Sequence, residues 1–185
     1  MRKRVGAKTS ARSARARRPK STSARSSSSS GIRKQLADTL SWGHAHVDFD
    51  KAVEGIPAEV RGRRPPGLPH SPWEILEHVR IAQEDILDFC RNPQYAERKW
   101  PDEYWPSSPE PPDPRAWDAS VAAFRRDRDV MRHLATDPKV DLTAKIPHGT
   151  GQTFLREVLL ILDHNAYHVG ELVAARRALG AWGSR

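Results

Sequence analysis

The sequence predicts an all-α protein, a four-helix bundle preceded by a basic tail. Three observations carry that expectation. Four stretches repeat apolar residues at helical spacing, capping residues or prolines bound them, and no stretch alternates as a strand would.

The first stretch runs from about Ile32 to Ile56, with Leu36, Leu40, Gly43 and Val47 on one side and Pro57 beyond its end. The second opens at Ser71-Pro72-Trp73-Glu74. Serine at the cap, proline at the first helical position and glutamate three residues after the serine make a capping box. Ile75, Val79, Ala82, Ile86 and Phe89 then share one helical face until Asn92-Pro93 stops the helix. A third stretch starts at Asp113-Pro114, buries Trp117, Val121, Phe124, Met131 and Leu134, and stops at Asp137-Pro138. The fourth runs from near Thr153 to about Leu179, with Gly180 as its terminator. Its run Val158-Leu159-Leu160-Ile161-Leu162 is apolar on all sides, which marks it as the most buried helix.

Two connections are rich in proline. Residues 57–70 add glycine and arginine, and residues 93–114 hold seven prolines with Tyr95, Trp100, Tyr104 and Trp105. So many aromatics argue for a packed segment, either a structural cover over one end of the bundle or a lid over a site. The structural cover is the plainer of the two.

Charge separates the tail from the body. Residues 1–30 carry ten of the 31 basic residues and no acidic one, which leaves 21 basic against 23 acidic and a net charge of −2 for residues 31–185. With Val5 as almost their only large apolar side chain, residues 1–30 are expected to be disordered and dispensable. Weak non-specific contact with nucleic acid, an organelle transit peptide and an upstream stretch added by start-codon choice are the competing readings. Residues 31–185 are expected to form the folded domain. The single Cys90 excludes an internal disulfide framework and reads as a small core residue. No run of eighteen apolar residues exists to span a membrane, and no apolar secretory segment precedes the body, so the expected compartment is the cytoplasm.

The chemistry concentrates in the fourth helix. His164 and His168 stand four residues apart, one turn above one another on the same face, so both imidazoles can reach one ion. Glu157 and Glu171 lie close to the same stripe of an otherwise apolar helix. The spacing alone is common. Burying several ionisable groups together is costly, however, unless they pair or coordinate a metal. His78 flanks the apolar face of the second helix and points inward too, and bundle interiors assemble metal sites from facing helices. Three imidazoles leave an open position for water or substrate. His44, His46 and His148 are weaker candidates for a pocket wall or a site mouth, set against ordinary surface or hydrogen-bonded histidines.

Ser71-Pro72-Trp73-Glu74-Ile75-Leu76-Glu77-His78 with Ala82-Gln83, and Gly151-Gln152-Thr153 through Asp163-His164-Asn165-Ala166-Tyr167-His168-Val169-Gly170-Glu171, resemble the DinB/YfiT-like family over about residues 32–183. The resemblance implies a bundle with up-down-down-up connectivity, often a homodimer, with a nickel or zinc ion on His78, His164 and His168. It implies, less specifically, a small-molecule substrate: some relatives bring a low-molecular-weight thiol to an electrophile and others isomerise small acids. Asp85 and Glu171 are the candidates for hydrogen bonds to the ligands or for proton transfer. Solvated flank carboxylates are the plainer alternative and suit Asp85 better. A metal-dependent enzyme is thus the first functional reading, and a non-catalytic metal-binding stress protein the second.

Overall fold

The computed structural model describes residues 22–41 and 45–183. Helices α1 (Thr22–Leu40), α2 (Phe49–Val53), α3 (Pro72–Arg91), α4 (Ala116–Thr136) and α5 (Phe154–Ala178) follow in order, with a 3₁₀ turn at Ala58–Val60. The only β pairing among the described residues is a bridge between Lys145 and Thr153.

The segment expected as one helix over 32–56 is instead two. Asp48 adopts an extended conformation and its Oδ1 accepts from the Lys51 N–H at 2.6 Å, which starts α2 afresh. At its other end α1 begins at Thr22, inside the stretch expected to be disordered. Adding residues to a packed helix costs far less than nucleating one, so docking of Leu36, Ala37 and Leu40 lets the helix extend toward its N-terminus. Residues 1–21 lie outside the described residues, as does the Gly43-His44 pair.

The other boundaries follow their local chemistry. Ser71 Oγ accepts from the Glu74 N–H at 3.2 Å while Glu74 accepts from the Ser71 N–H at 2.8 Å, closing the capping box of α3. Asp113 Oδ1 takes the N–H groups of Arg115 and Ala116 at 2.7 and 3.1 Å and launches α4. Gly180, at φ +69°, ends α5 in the left-handed conformation that favours glycine.

Contacts between helices fix the topology. Arg33 donates to the carbonyls of Ala135 and Asp137, and Arg132 donates to that of Ala37, so α1 and α4 run antiparallel. Glu77 meets Ser120 and Gln83 meets the Phe124 carbonyl, so α3 and α4 run parallel. His78 faces His168 while Gln83 faces Asn165, so α3 and α5 run antiparallel. The bundle is up-down-down-up.

A parallel pair of neighbours cannot be joined by a short turn. The chain between α3 and α4, residues 92–115, must return along the whole of α3, about 30 Å at 1.5 Å per residue. It does so in contact: Tyr95 and Arg98 lie against Asp85, Tyr104 against His78 and Pro109 against Ser71.

Two apolar clusters fill the interior. One gathers Phe49, Trp73, Leu76, Val79, Trp117, Phe124 and Leu172, the other Leu36, Leu40, Leu87, Met131, Ile146 and Ile161. Between them in sequence, on α3 and α5, sit buried Gln83 and Asn165. Helix α5 is less enclosed than its composition suggests. Val158 and Ile161 are buried, but Leu159 is exposed and Leu160 and Leu162 are half-buried. An apolar run reports what a helix can bury, not how many sides its neighbours cover. Among the described residues no helix is long and apolar enough to cross a membrane.

Candidate metal centre

His78 comes from the second turn of α3, and His164 and His168 come from successive turns of α5. Because α3 and α5 are antiparallel neighbours, the three rings meet: centroids are 4.9 Å (His78–His164), 4.5 Å (His78–His168) and 4.6 Å (His164–His168) apart. One nitrogen from each ring lies within 4.8 Å of the other two, a set that could hold a metal ion.

The hydrogen bonds decide which nitrogens are available. His78 Nδ1 lies 2.9 Å from the Tyr104 carbonyl, which can only accept, so Nδ1 carries the proton. His168 Nδ1 lies 2.8 Å from Glu171 Oε2, and the ionised carboxylate imposes the same choice. In a neutral ring Nε2 then offers its lone pair. Burial pushes His78 down to about 4, only partly opposed by the Tyr104 carbonyl, and pushes His164 down to about 4 as well. Both rings are therefore neutral near pH 7. Glu171 is held below its usual range by the hydrogen bond from His168, against the opposing effect of burial.

The residues fit a divalent ion. Two nitrogens bound to one ion at about 2.0–2.1 Å in tetrahedral directions stand roughly 3.3 Å apart. His78 Nε2 and His164 Nε2 are 3.1 Å apart. The pattern of Nδ1–H groups tied to a carbonyl and a carboxylate, which leaves Nε2 as the ligating atom, is the one that orients ligating histidines.

The crossover segment supplies much of the rest. Trp105 stacks on His78 at 3.9 Å and 3°, and on its other face meets His70 at 3.9 Å and 22°. The His70 Nδ1–H donates to Glu171 Oε1 at 3.1 Å, so each Glu171 oxygen holds one histidine. Trp100 and Tyr167, 69% and 72% exposed, stand beside His78 and His168 and leave large aromatic surface open to solvent next to the triad. The connection over 93–114 thus covers His78 and is more than a structural cap on one end.

Of the residues singled out from sequence, the three histidines come together and Glu171 joins them. Asp85 is buried rather than solvated, yet it touches no ligand. It accepts from Tyr104 OH at 2.6 Å and Tyr95 OH at 3.2 Å, and so acts on His78 only through the segment it anchors. Glu157 is buried at the start of α5 against Arg156, away from the triad. His148 is not at the site mouth: its ring meets the Phe89 carbonyl at 2.7 Å, eleven residues or about 16 Å along α3 from His78. His46 is exposed and pairs with the Val47 carbonyl at 2.8 Å. Cys90 is buried, and burial pushes its thiol up to about 12, as expected of a core cysteine. His70, Trp105 and the Tyr104 carbonyl went unmarked as site residues. His70 had a signal, its place directly before the α3 cap, but a backbone carbonyl has none.

Fold and site together define a class: an up-down-down-up helical bundle whose second and last long helices converge three imidazoles on one point. The family model of the DinB superfamily matches residues 42–172, and the chain belongs to that superfamily. Neither a curated protein nor a solved structure matches the chain.

Proposed function

We propose that this protein is a metal-dependent enzyme that holds a zinc or nickel ion on His78, His164 and His168 and acts on a small electrophilic substrate. A low-molecular-weight thiol is its proposed second substrate. One observation carries the reading: a nitrogen of each ring within 4.8 Å of the other two, with the His78 and His168 Nδ1 atoms committed to Tyr104 and Glu171. An ion there would lower the pKa of a bound thiol or water, or polarise a carbonyl.

The chain's own groups do the positioning. The Tyr104 carbonyl and Glu171 keep His78 and His168 in the ligating tautomer. Trp105 excludes water from one face of His78, while exposed Trp100 and Tyr167 offer flat apolar surface to an incoming molecule. Both Glu171 oxygens are occupied by histidine N–H groups, which suits orientation better than proton abstraction.

Elemental mass spectrometry of the purified full chain tests the ion. About one zinc or nickel per chain is expected, and none in His164→Ala, with the helical circular dichroism kept. Full occupancy in that variant would sink the assignment. The cover that Trp105 lays over His78 favours a second reading, a non-catalytic metal-binding protein. Cobalt substitution separates the two: a thiol that adds a sulfur-to-cobalt band shows an open position, and an unchanged spectrum favours the closed, non-catalytic site.

A further inference from the structure

Two of the three histidines have an acceptor for Nδ1. The third, His164, has a buried Nδ1 without a hydrogen-bond partner. Its neighbour Asn165 is 2% exposed and has the complementary defect, a buried Oδ1 without a partner. A proton placed on Nδ1 would give Oδ1 its donor and satisfy both buried atoms at once.

The orientation of Asn165 is not free. The Phe124 carbonyl on α4 can only accept, and it takes the Gln83 Nε2–H at 2.8 Å. Gln83 must then turn Oε1 toward α5, where it accepts from Asn165 Nδ2 at 3.0 Å. With Nδ2 turned to Gln83, Asn165 is left with Oδ1 as a buried acceptor that has no partner. A chain of two amides therefore starts at a backbone carbonyl of α4, crosses α3 and ends in a free acceptor on α5.

We infer that Asn165, held by Gln83, is the positioning residue of His164: its Oδ1 receives the His164 Nδ1–H and leaves Nε2 facing His78. Without the ion, His164 can instead share a proton between its Nε2 and His78 Nε2, 3.1 Å away. Loading the site forbids that arrangement, moves the proton to Nδ1 and closes the pair with Asn165. The three ligating histidines would then be held by three different acceptors: a carbonyl, a carboxylate and an amide.

The inference rests on the metal reading, and the test separates the two. The full chain, labelled with ¹⁵N-histidine, is titrated with zinc alone. Zinc affinity and slowly exchanging imidazole N–H protons are read in the wild type, Asn165→Leu and Asn165→Asp. The loaded wild type is expected to show protected Nδ1–H protons on His78, His164 and His168. Asn165→Leu should lose the His164 proton alone and bind zinc about 10–100-fold more weakly. Asn165→Asp, which keeps the acceptor for Nδ1 but loses the bond to Gln83, should retain all three protons and bind more tightly than Asn165→Leu. A wild type that refuses zinc overturns the metal reading itself. Zinc binding without a protected His164 Nδ1–H overturns the relay alone, and this needs no variant to fold. An Asn165→Leu protein with three protected protons or unchanged affinity also overturns it.

Discussion

Asp85 shows how a residue can matter to a site it does not touch. Its carboxylate gathers Tyr95 OH, Tyr104 OH and, at 3.5 Å, the Arg98 guanidinium, all from the returning segment. Burial and then the Asp85 carboxylate hold the Tyr104 hydroxyl well above the ordinary phenol range, so it stays a donor at any physiological pH. Asp85→Ala would orphan two hydroxyls and release the stretch whose Tyr104 carbonyl orients His78. The expected cost is about 2–4 kcal/mol of stability, read by chemical denaturation, together with roughly tenfold weaker metal binding. Tyr104→Phe removes one bond and leaves that carbonyl in place; about 1 kcal/mol is expected, with metal affinity unchanged. Equal effects on metal affinity in the two variants would mean that Asp85 acts on the ion by another route.

The opening turn of α3 joins a cap to an ion pair. Ser71 and Glu74 exchange their capping bonds, Ser71 Oγ also donates to the Pro109 carbonyl at 2.6 Å, and the Arg64 Nε–H donates to Glu74 at 2.9 Å. Ser71→Ala should cost about 1–2 kcal/mol, measured as a shift in denaturation midpoint at constant slope. Burial works to raise Glu74, but the bonds from Arg64 and Ser71 outweigh it and hold the carboxyl below its usual 4.5. A depressed carboxylate contributes stability that is fully present above 4.5 and is lost as pH falls through its lower folded value. Glu74→Gln should therefore be less stable than the wild type near neutrality and should flatten the acid side of the stability profile. An unchanged acid limb would exclude Glu74 as a source of it.

Helix boundaries of this kind are legible because a cap is a pattern of neighbours in sequence. Ser71-Pro72-Trp73-Glu74, Asp113-Pro114 and Gly180 all act within a few residues of where they stand. The triad is legible for a related reason, since His164 and His168 share a face and His78 flanks one. The break between α1 and α2 was less visible, because the cap at Asp48 lies within a continuous apolar pattern. Least visible was the position of Tyr104 and Trp105 over His78. That depends on α3 and α4 being parallel, and no residue spacing in either helix states the direction of its neighbour.

At the scale of the whole bundle, the histidines connect parts of the chain that are distant in sequence. His78 and His164 are 86 residues apart, so an ion held between them is bound by the folded chain and not by any short piece of it. Mass action then links loading to stability. Zinc at about a thousand times its dissociation constant should add roughly 4 kcal/mol. For a chain of this size that raises the melting temperature by about 8–16 °C, and a chelator should reverse it. Identical melting of loaded and stripped protein would show that the triad holds no ion in the folded state.

The parallel pairing of α3 and α4 has a consequence for how such a protein can change over generations. Helices α3 and α5 carry the imidazoles, while much of the surface around them belongs to a loop that the topology requires but whose outward side chains the core does not specify. Substitutions at its outward positions, such as exposed Trp100, can therefore alter which molecules gain entry while Tyr95, Tyr104 and Pro109 keep the segment anchored. At those outward positions, inheritance can vary the selectivity of the site with little effect on the strength of the fold.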